Sequence, residues 1–322
     1  MPKAPRLSTK TAGLVPIVPT PFNDDGSLAL GDVPRLVDFY EQCGVVALTV
    51  LGKNGEPEKL SDEETSLVTR EFVRYAKDRL PVIIGISGGF AKTVERAKAV
   101  MDAGAQAVMI RPMNGLKADD AIIQFFERYT ERTQGKVPIC VQDDPKTNNI
   151  TLSVDAWCQV SKLEPVIMLK LEPTPTLPKL SRIVDAQNVG DARKVSILPS
   201  FNGMHLPQLL ARGASGAMAG FAFIDALVEV YDLYTSGEIE RAEKLHDAMM
   251  PIMRYKREFP LVLRKEILRR RGILTSNHVR YPGTRIEARD LAEFDLILKR
   301  LNRSFSDLGF APVGDTRLLS VA

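Results

Sequence analysis

Eight short apolar runs recur along the first two thirds of the chain, and amphipathic segments fill most of the gaps between them. The runs have the length of buried strands, and the segments between them have the apolar period of helices. The predicted strands are residues 14–19, 45–51, 81–87, 107–111, 137–142, 166–172, 196–201 and 216–220. Strands that alternate with helices indicate a parallel sheet, and eight such units predict a (β/α)8 TIM barrel over residues 13–222.

The predicted helices alternate with these strands and continue beyond them. Within the strand region they include residues 34–43, 61–78, 92–103, 118–133 and 151–161, and Ser61 with Glu64 forms a capping box. After residue 220 the pattern is helical, over residues 224–234, 239–257, 261–271 and 288–302. This is more than the last helix of a barrel needs. We therefore expect a helical extension over residues 223–322, and an N-terminal tail over residues 1–12.

The composition narrows the class of protein. Hydrophobic residues make up 44% and charged residues 26% of the 322 positions, as in ordinary globular proteins. With 43 Lys plus Arg against 40 Asp plus Glu, the net charge of +3 is too small to indicate a nucleic-acid partner. We see no apolar run of the roughly 18 residues that a membrane helix needs and no signal-peptide core. Three widely spaced cysteines favour reduced thiols, so we expect a cytoplasmic protein with no membrane partner.

Lys170 is the most informative polar residue, because it lies within an apolar strand. Side chains alternate along a strand, so Met168, Lys170 and Glu172 share one face, which we expect to point into the barrel. The opposite, apolar face comprises Ile167, Leu169 and Leu171. Burial disfavours the ammonium form of a lysine and favours a neutral amine, which can attack a carbonyl carbon. The alternative is a structural ion pair between Lys170 and Glu172 or Glu56.

Barrel enzymes carry their chemistry at the C-terminal ends of the strands, where further polar residues occur. Glu172 is a candidate acid or base, or a carboxylate that only orients the lysine. The glycine-containing turn at residues 52–56 can present backbone N–H groups to a carboxylate, or it is simply a turn. Gln142 can orient a substrate or a water molecule, but it cannot exchange protons.

A metal site has weak support from the sequence. Asp143 and Asp144 are adjacent acids that could bind Mg²⁺, although a polar turn before Pro145 is the simpler interpretation. The chain has three histidines, and they form none of the spacings that hold zinc. We therefore expect neither a metal nor another cofactor.

Seven short stretches combine into a recognisable pattern through their order and spacing. They are VPIVPTPF at 15–22, GxxGE at 52–56, LSxEE at 60–64, DAGAxA at 102–107, the lysine strand, GAxG at 213–216 and RYP at 280–282. With this pattern the chain resembles the dihydrodipicolinate synthase / N-acetylneuraminate lyase family of Schiff-base barrels. The resemblance implies a barrel with a helical C-terminal extension, an imine between Lys170 and a 2-oxo acid, usually pyruvate, and a dimer of dimers, hence a homotetramer.

The departures from the family pattern affect the expected activity. Lys53 and Asn54 replace two threonines, Gln142 replaces the tyrosine that usually relays protons, and Thr147 replaces an arginine that holds the second substrate in the lysine-pathway enzymes. Met113 and Asn114 stand in place of paired tyrosines. The strand-five and lysine motifs are instead similar to a branch of 2-keto-3-deoxy sugar acid dehydratases. A lysine at position 53, at the mouth of the site, would suit an anionic substrate or a second carboxylate.

The resemblance therefore implies a Schiff-base-forming lyase that dehydrates a 2-keto-3-deoxy sugar acid. Lys170 would attack the C2 carbonyl of the substrate, and Glu56, Glu172 or a water molecule held by Gln142 would move the protons. The predicted binding residues for the substrate are Lys53, Asn54, Gly55 and the backbone near Met218.

Three alternatives remain open. One is a pyruvate-dependent aldolase, or a condensation or retro-aldol reaction on a 4-hydroxy-2-oxo acid like that of dihydrodipicolinate synthase. The second is a non-catalytic barrel that binds a keto acid. The third, a metal-dependent aldolase, is opposed by the scarcity of histidine.

Overall fold

The structure, a computed structural model, describes residues 6–310, in which strands and helices alternate up to residue 219. All eight predicted strands are present, each within or close to its predicted limits. They are β1 Gly13–Pro16, β2 Leu48–Val50, β3 Val82–Gly85, β4 Ala107–Ile110, β5 Ile139–Asp143, β6 Val166–Leu171, β7 Ser196–Pro199 and β8 Gly216–Ala219.

Eight helices accompany the strands, and four more follow β8 in the described part of the chain. The first eight are α1 Val33–Gln42, α2 Asp62–Ala76, α3 Phe90–Asp102, α4 Asp119–Arg132, α5 Pro145–Asn148, α6 Val154–Val160, α7 Thr176–Val189 and α8 Leu206–Ala211. The last four are α9 Ile224–Thr235, α10 Ile239–Tyr255, α11 Val262–Arg270 and α12 Ala288–Asp307.

Every ladder between these strands is parallel, as predicted. Strands β2 to β7 form a curled six-stranded sheet in chain order, and β1 pairs with β8 in a second sheet. A few hydrogen bonds link the two sheets. Beside β1 and β2 the Val46 N–H donates to Leu14 O at 3.0 Å and the Val18 N–H donates to Thr49 O at 2.8 Å, and beside β7 and β8 the Ser215 N–H donates to Ile197 O at 2.9 Å. The predicted parallel α/β architecture is therefore confirmed, with the ladders divided between two sheets.

The core has two layers, because side chains on a strand alternate between its faces. The outer layer packs the strands against the helices and includes Leu169 and Leu171 of β6. The inner layer contains residues that lie within or next to each of the eight strands. They are Val15, Ile17, Ala47, Ile83, Ala107, Met109, Cys140, Met168, Leu198 and Met218.

One position of β6 departs from the predicted alternation. We predicted Ile167 on the outer face, and this was wrong, because Ile167 packs against the inner layer. The reason is a shift in register: Ile139 pairs with Val166, whereas the next residue, Cys140, pairs with Met168. Ile167 is thus an extra residue, as in a β-bulge, and the alternation resumes at Met168.

Local sequence signals account for several helix ends. Ser61 and Glu64 form the predicted capping box: the Glu64 N–H donates to Ser61 Oγ at 3.1 Å, and the Ser61 N–H donates to Glu64 Oε2 at 3.0 Å. We predicted Asp143 and Asp144 in a polar turn before Pro145, but Asp143 is the last residue of β5 and Asp144 directly precedes the short helix α5, which begins at Pro145. A proline is well suited to a first helical turn, because its missing N–H would have no partner there.

The C-terminal helices pack on one another and on the loops at one end of the strands. Helix α10 contacts both α9 and α12, and α12 runs to Asp307, five residues beyond its predicted end. The Arg280 side chain donates to Gly26 O, to Lys59 O and to the Glu64 carboxylate. Parts of the predicted N-terminal tail and of the extension, residues 1–5 and 311–322, lie outside the described residues. Within residues 6–310, no helix is both long and apolar enough to cross a membrane.

Candidate active site

Lys170 lies near the C-terminal end of β6 and is 2% exposed. Its Nζ is 3.0 Å from Glu172 Oε2. Gln142 lies directly opposite on β5, and its Nε2 donates to the same carboxylate oxygen at 2.7 Å. The structure thus brings together three of the four residues that we predicted to be catalytic, and it pairs Lys170 with Glu172 rather than with Glu56.

The electrostatics of this cluster favour an ionised Glu172. Burial would raise the pKa of this carboxyl group, but the positive charge of Lys170 and hydrogen bonds from Gln142, Lys170 and Ser200 outweigh it and hold the pKa below its ordinary value. Cys140 lies in the layer beneath, and burial raises the pKa of its thiol to about 12, so it remains protonated at neutral pH.

A cavity of about 200 Å³ opens at this end of the strands. Gln142 belongs both to its wall and to the lysine cluster, so the cavity adjoins the Lys170–Glu172 pair. The remaining wall comes from the ends of several strands and from the loops after them. It includes Leu51, Gly52, Lys53, Glu56, Glu58, Lys59, Ser87, Met109, Arg111 and Thr147.

The predicted carboxylate loop forms one side of the cavity mouth. Residues Lys53–Gly55 make a 3₁₀ turn after β2. A Cβ at Gly52 would lie 2.7 Å from Ile17 Cγ2, so a larger residue here would have to displace Ile17 or the turn. The Lys53 side chain extends towards the loop after β5, where its Nζ is 3.5 Å from Thr147 Oγ1. Thr147 in turn donates to Asp144 Oδ2.

Asn54 extends in another direction, towards the loops after β7 and β8. A Cβ at Gly220 would lie 2.0 Å from Asn54 Nδ2 and 2.9 Å from Asn202 Oδ1, so both amides contact this glycine. On the other side, Lys256 Nζ donates to Asn202 Oδ1 at 3.1 Å. Met218 lies one layer lower, with its side chain in the inner apolar layer and its backbone paired with Val15.

Glu56 is held in a separate ion cluster. It is 4% exposed and has a left-handed backbone with φ of 54°. Its Oε1 is 2.6 Å from Lys265 Nζ, whereas its Oε2 accepts from Lys59 Nζ at 2.9 Å and from the Arg280 N–H at 3.1 Å. Both oxygens therefore have donors already, which leaves proton transfer by Glu56 a prediction with less geometric support than transfer by Glu172.

The two adjacent acids after β5 have different partners. Asp143 is buried, its Oδ2 lies 2.5 Å from Lys179 Nζ, and its Oδ1 accepts from the Leu152 N–H at 3.2 Å. Burial raises its pKa, and Lys179 opposes that rise. No group of three His, Cys, Asp or Glu residues suited to a metal occurs between residues 6 and 310. The ion pair with Lys179, rather than a turn or a Mg²⁺ site, therefore accounts for Asp143.

The sequence analysis overlooked polar residues after β7. Ser200 hydrogen-bonds to Glu172, and Asn202 contacts Gly220 beside Asn54. The rule that directed attention to the ends of other strands would also have indicated Ser200 and Asn202, since both follow a strand. Lys256 carries no such signal, because it follows helix α10 in the extension.

Comparison with known proteins gives a family match over most of the chain. The sequence model described as "Dihydrodipicolinate synthetase family" matches residues 10–301. A solved structure of a dihydrodipicolinate synthase from Rhodopseudomonas palustris is 37% identical and superposes with a TM-score of 0.87, covering 92% of this chain and 99% of that one.

Curated relatives carry two kinds of names. An L-2-keto-3-deoxyarabonate dehydratase from Azospirillum brasilense is 28% identical over 297 residues, which cover 90% of this chain and 94% of the relative. A 4-hydroxy-tetrahydrodipicolinate synthase from Methanothrix thermoacetophila is 29% identical over 246 residues, which cover 75% of this chain and 80% of the relative.

Proposed function

Because the chain belongs to the dihydrodipicolinate synthetase family, and is thus a class I lyase, we propose that it acts on a 2-oxo acid through an imine on Lys170. One observation carries the proposal: Lys170 is buried on the inner face of β6, paired with an ionised carboxylate, and adjoins a cavity through Gln142. A lysine in such a place can lose its proton to a neighbour and attack a carbonyl.

The proposed reaction begins when the neutral Lys170 amine attacks C2 and the C2 oxygen leaves as water. The protonated imine draws electrons, so a C3 proton passes to Glu172 and an enamine forms. The enamine then expels the C4 hydroxyl, which takes up a proton and leaves as a second water. Hydrolysis of the imine consumes one water and restores Lys170, so the net change is the loss of one water. Gln142 cannot carry a proton and orients Glu172 instead.

We propose a 2-keto-3-deoxy sugar acid as the substrate. Support comes from the relative named as a dehydratase, whose match extends over 90% of this chain. Gln142 in place of the family tyrosine also favours a reaction in which Glu172 moves the protons. For the C1 carboxylate we propose Asn54 and the N–H groups of its loop, because Asn54 lies beside the end of β8.

An aldolase or synthase reaction at the same lysine is the second candidate. The observation in its favour is the names of the Methanothrix and Rhodopseudomonas relatives, which are synthases. The protonated imine on Lys170 can cleave its C3–C4 bond as the C4 hydroxyl loses a proton, which gives an aldehyde and the enamine of pyruvate. The same enamine can add to an aldehyde in the reverse direction, so the active-site lysine does not separate the two reactions.

We also propose that the strands close into a (β/α)8 barrel over residues 13–222, preceded by a tail at 1–12 and followed by the extension at 223–322. The inner layer, to which residues within or next to all eight strands contribute, supports closure. A homotetramer is proposed from the family, and the exposed apolar side chains of Tyr281 and Leu296 are compatible with subunit contacts. The cytoplasmic location stays a prediction.

Product analysis tests the choice of reaction. The purified protein is incubated with 2-keto-3-deoxy-pentonate and 2-keto-3-deoxy-hexonate, and the products are identified by mass spectrometry. Dehydration gives a product lighter by one water, and no pyruvate. Pyruvate with an aldehyde would favour the aldolase, and unchanged substrates, together with no condensation of pyruvate with aldehydes, would contradict both candidates.

A further inference from the structure

We propose that the mouth of the cavity holds a second, distal carboxylate of the substrate on Arg111 and Lys53, so that the preferred substrates are 2-oxo diacids. This inference rests on the proposed imine at Lys170, and it specifies which sugar acids the enzyme would accept.

Strand register places Arg111 in the same ring of inward-facing residues as Lys170. Met109 pairs with Cys140, and Cys140 pairs with Met168, which forms an apolar row. Two residues further along each chain, on the same faces, stand Arg111, Gln142 and Lys170. Because neighbouring strands lie about 4.8 Å apart, the backbones of Arg111 and Lys170 are separated by roughly 10 Å, with Gln142 between them.

The positively charged side chains in the cavity wall differ in whether a carboxylate pairs with them closely. Lys59 is paired with Glu56, which has two further donors in Lys265 and the Arg280 N–H. Lys53 and Arg111 have no such partner in the cluster. The mouth therefore presents two positive charges with weak compensation.

Arg111 and Lys53 each have only weak contacts with the carboxylates near them. Arg111 is 3.8 Å from Glu58, whose side chain is 78% exposed, and pairs of this kind contribute little. Lys53 contacts the Thr147 hydroxyl at 3.5 Å and reaches Asp144 only through that hydroxyl. Both side chains are therefore available to an anion, and arginine is well matched to a carboxylate because its guanidinium can donate two parallel hydrogen bonds.

The turn at Lys53–Gly55 separates the two ends of a substrate. Asn54 points to the loops after β7 and β8, whereas Lys53 points to the loop after β5. A 2-oxo acid with C1 at Asn54 and C2 at Lys170 would thus direct its tail towards Arg111 and Lys53. A neutral, hydroxylated tail would leave these two charges without a partner.

The test compares imine formation by three acids on the full-length protein. 2-Oxoglutarate and 2-oxopentanoate have the same chain length but differ in the terminal carboxylate, and pyruvate has no tail. The concentration of each acid that gives half-maximal borohydride trapping on Lys170 is measured. We expect the half-maximal concentration of 2-oxoglutarate to be at least roughly tenfold lower than that of 2-oxopentanoate. This is the effect expected when one hydrogen bond between charged groups is gained.

Variants identify the residues responsible. Arg111→Gln should reduce the preference for 2-oxoglutarate about tenfold and leave half-maximal trapping of pyruvate within about twofold, whereas Arg111→Lys should retain part of the preference. Lys53→Gln should reduce the preference less. Equal half-maximal concentrations for the two five-carbon acids in the wild-type protein, with trapping intact, would overturn this inference alone. A parallel loss of pyruvate trapping in Arg111→Gln would place Arg111 at C1 and also overturn it, and no trapping of any acid would overturn the proposed function as well.

Discussion

Two buried lysine–glutamate pairs lie at the same end of the strands, and their surroundings differ. Lys170 and Glu172 are 3.0 Å apart, and the Glu172 side chain keeps 19% of its exposure. Lys265 and Glu56 are 2.6 Å apart, and their side chains are 0% and 1% exposed. Both lysines are buried, so burial alone does not distinguish a structural lysine from one that we propose to be a nucleophile.

The partners of each lysine make the distinction. Lys265 donates to Glu56, donates to His278 O at 2.8 Å and lies 4.4 Å from the centre of the Phe22 ring. Lys170 shares the single oxygen Glu172 Oε2 with Gln142, and Gln142 lines the cavity. Both pairs adjoin the cavity, because Glu56 lies in its wall and Gln142 connects Glu172 to it. The comparison therefore teaches that an incomplete set of partners marks the reactive candidate.

Of the substitutions in the two pairs, replacement of Lys170, the proposed nucleophile, should have the largest effect on activity. Lys170→Arg keeps a positive charge beside Glu172, but a guanidinium does not lose its proton in proteins. We expect a folded protein with no measurable turnover of 2-keto-3-deoxy acids. A circular dichroism melt close to that of the wild type serves as the control, and residual turnover above a few per cent would count against the assignment.

Removing the carboxylate of the first pair should slow the reaction without preventing imine formation. Glu172→Gln removes the group that we propose accepts the C3 proton, so kcat should fall by roughly 10²- to 10⁴-fold. Borohydride trapping of pyruvate on Lys170 should persist. An unchanged kcat in steady-state kinetics would transfer the proton-carrying role to another residue, with Glu56 the first to examine.

Breaking the second pair should affect stability rather than chemistry. Lys265→Met leaves Glu56 buried with fewer donors, and loss of one member of a buried pair costs about 3–5 kcal/mol of the free energy of unfolding. The matched control is the double variant with Glu56→Gln, which removes the unpaired charge and should recover part of that loss. Denaturant unfolding measures both, and a loss of pyruvate trapping in the folded single variant would show that the pairs do not differ as we argue.

A third buried lysine, Lys256, extends the comparison, because we expect its contribution to the stability of the protein to depend on pH. Burial and the nearby charge of Arg264 lower the pKa of Lys256 to about 7, well below the value of 10.5 for an unfolded lysine. The unfolded chain then binds more protons than the folded one between about pH 7 and 10.5, so this group makes the protein more stable as pH rises through that window. Lys256→Met should reduce this rise and stabilise the protein most at and below pH 7. Thermal melts of the two proteins across pH check it, and parallel curves would contradict it.

The sequence predicted the parts of the molecule that follow from local pattern. Alternation along β6 placed Lys170 on the inner face with Met168, as the structure shows. The pairing of Gln142 with Lys170 follows instead from the register between β5 and β6. The alternation could not reveal that Ile167 is an extra residue, because a bulge depends on how the neighbouring strand pairs.

The rest depends on contacts between distant parts of the chain. Glu56 and Lys265 are 209 residues apart, and only the docking of α11 against the loop after β2 brings them together. The opposite directions of Lys53 and Asn54 likewise follow from what lies across the mouth, namely Thr147 and Gly220. No spacing in the sequence encodes these pairings.

Locating the covalent adduct tests the central claim most directly. The wild-type protein is incubated with pyruvate, reduced with borohydride and digested, and the modified peptide is identified by mass spectrometry. We predict one adduct, on Lys170, with Lys256 and Lys265 unmodified, and no adduct on the Lys170→Arg protein. An adduct on another lysine, found together with an active Lys170→Arg protein, would contradict the account.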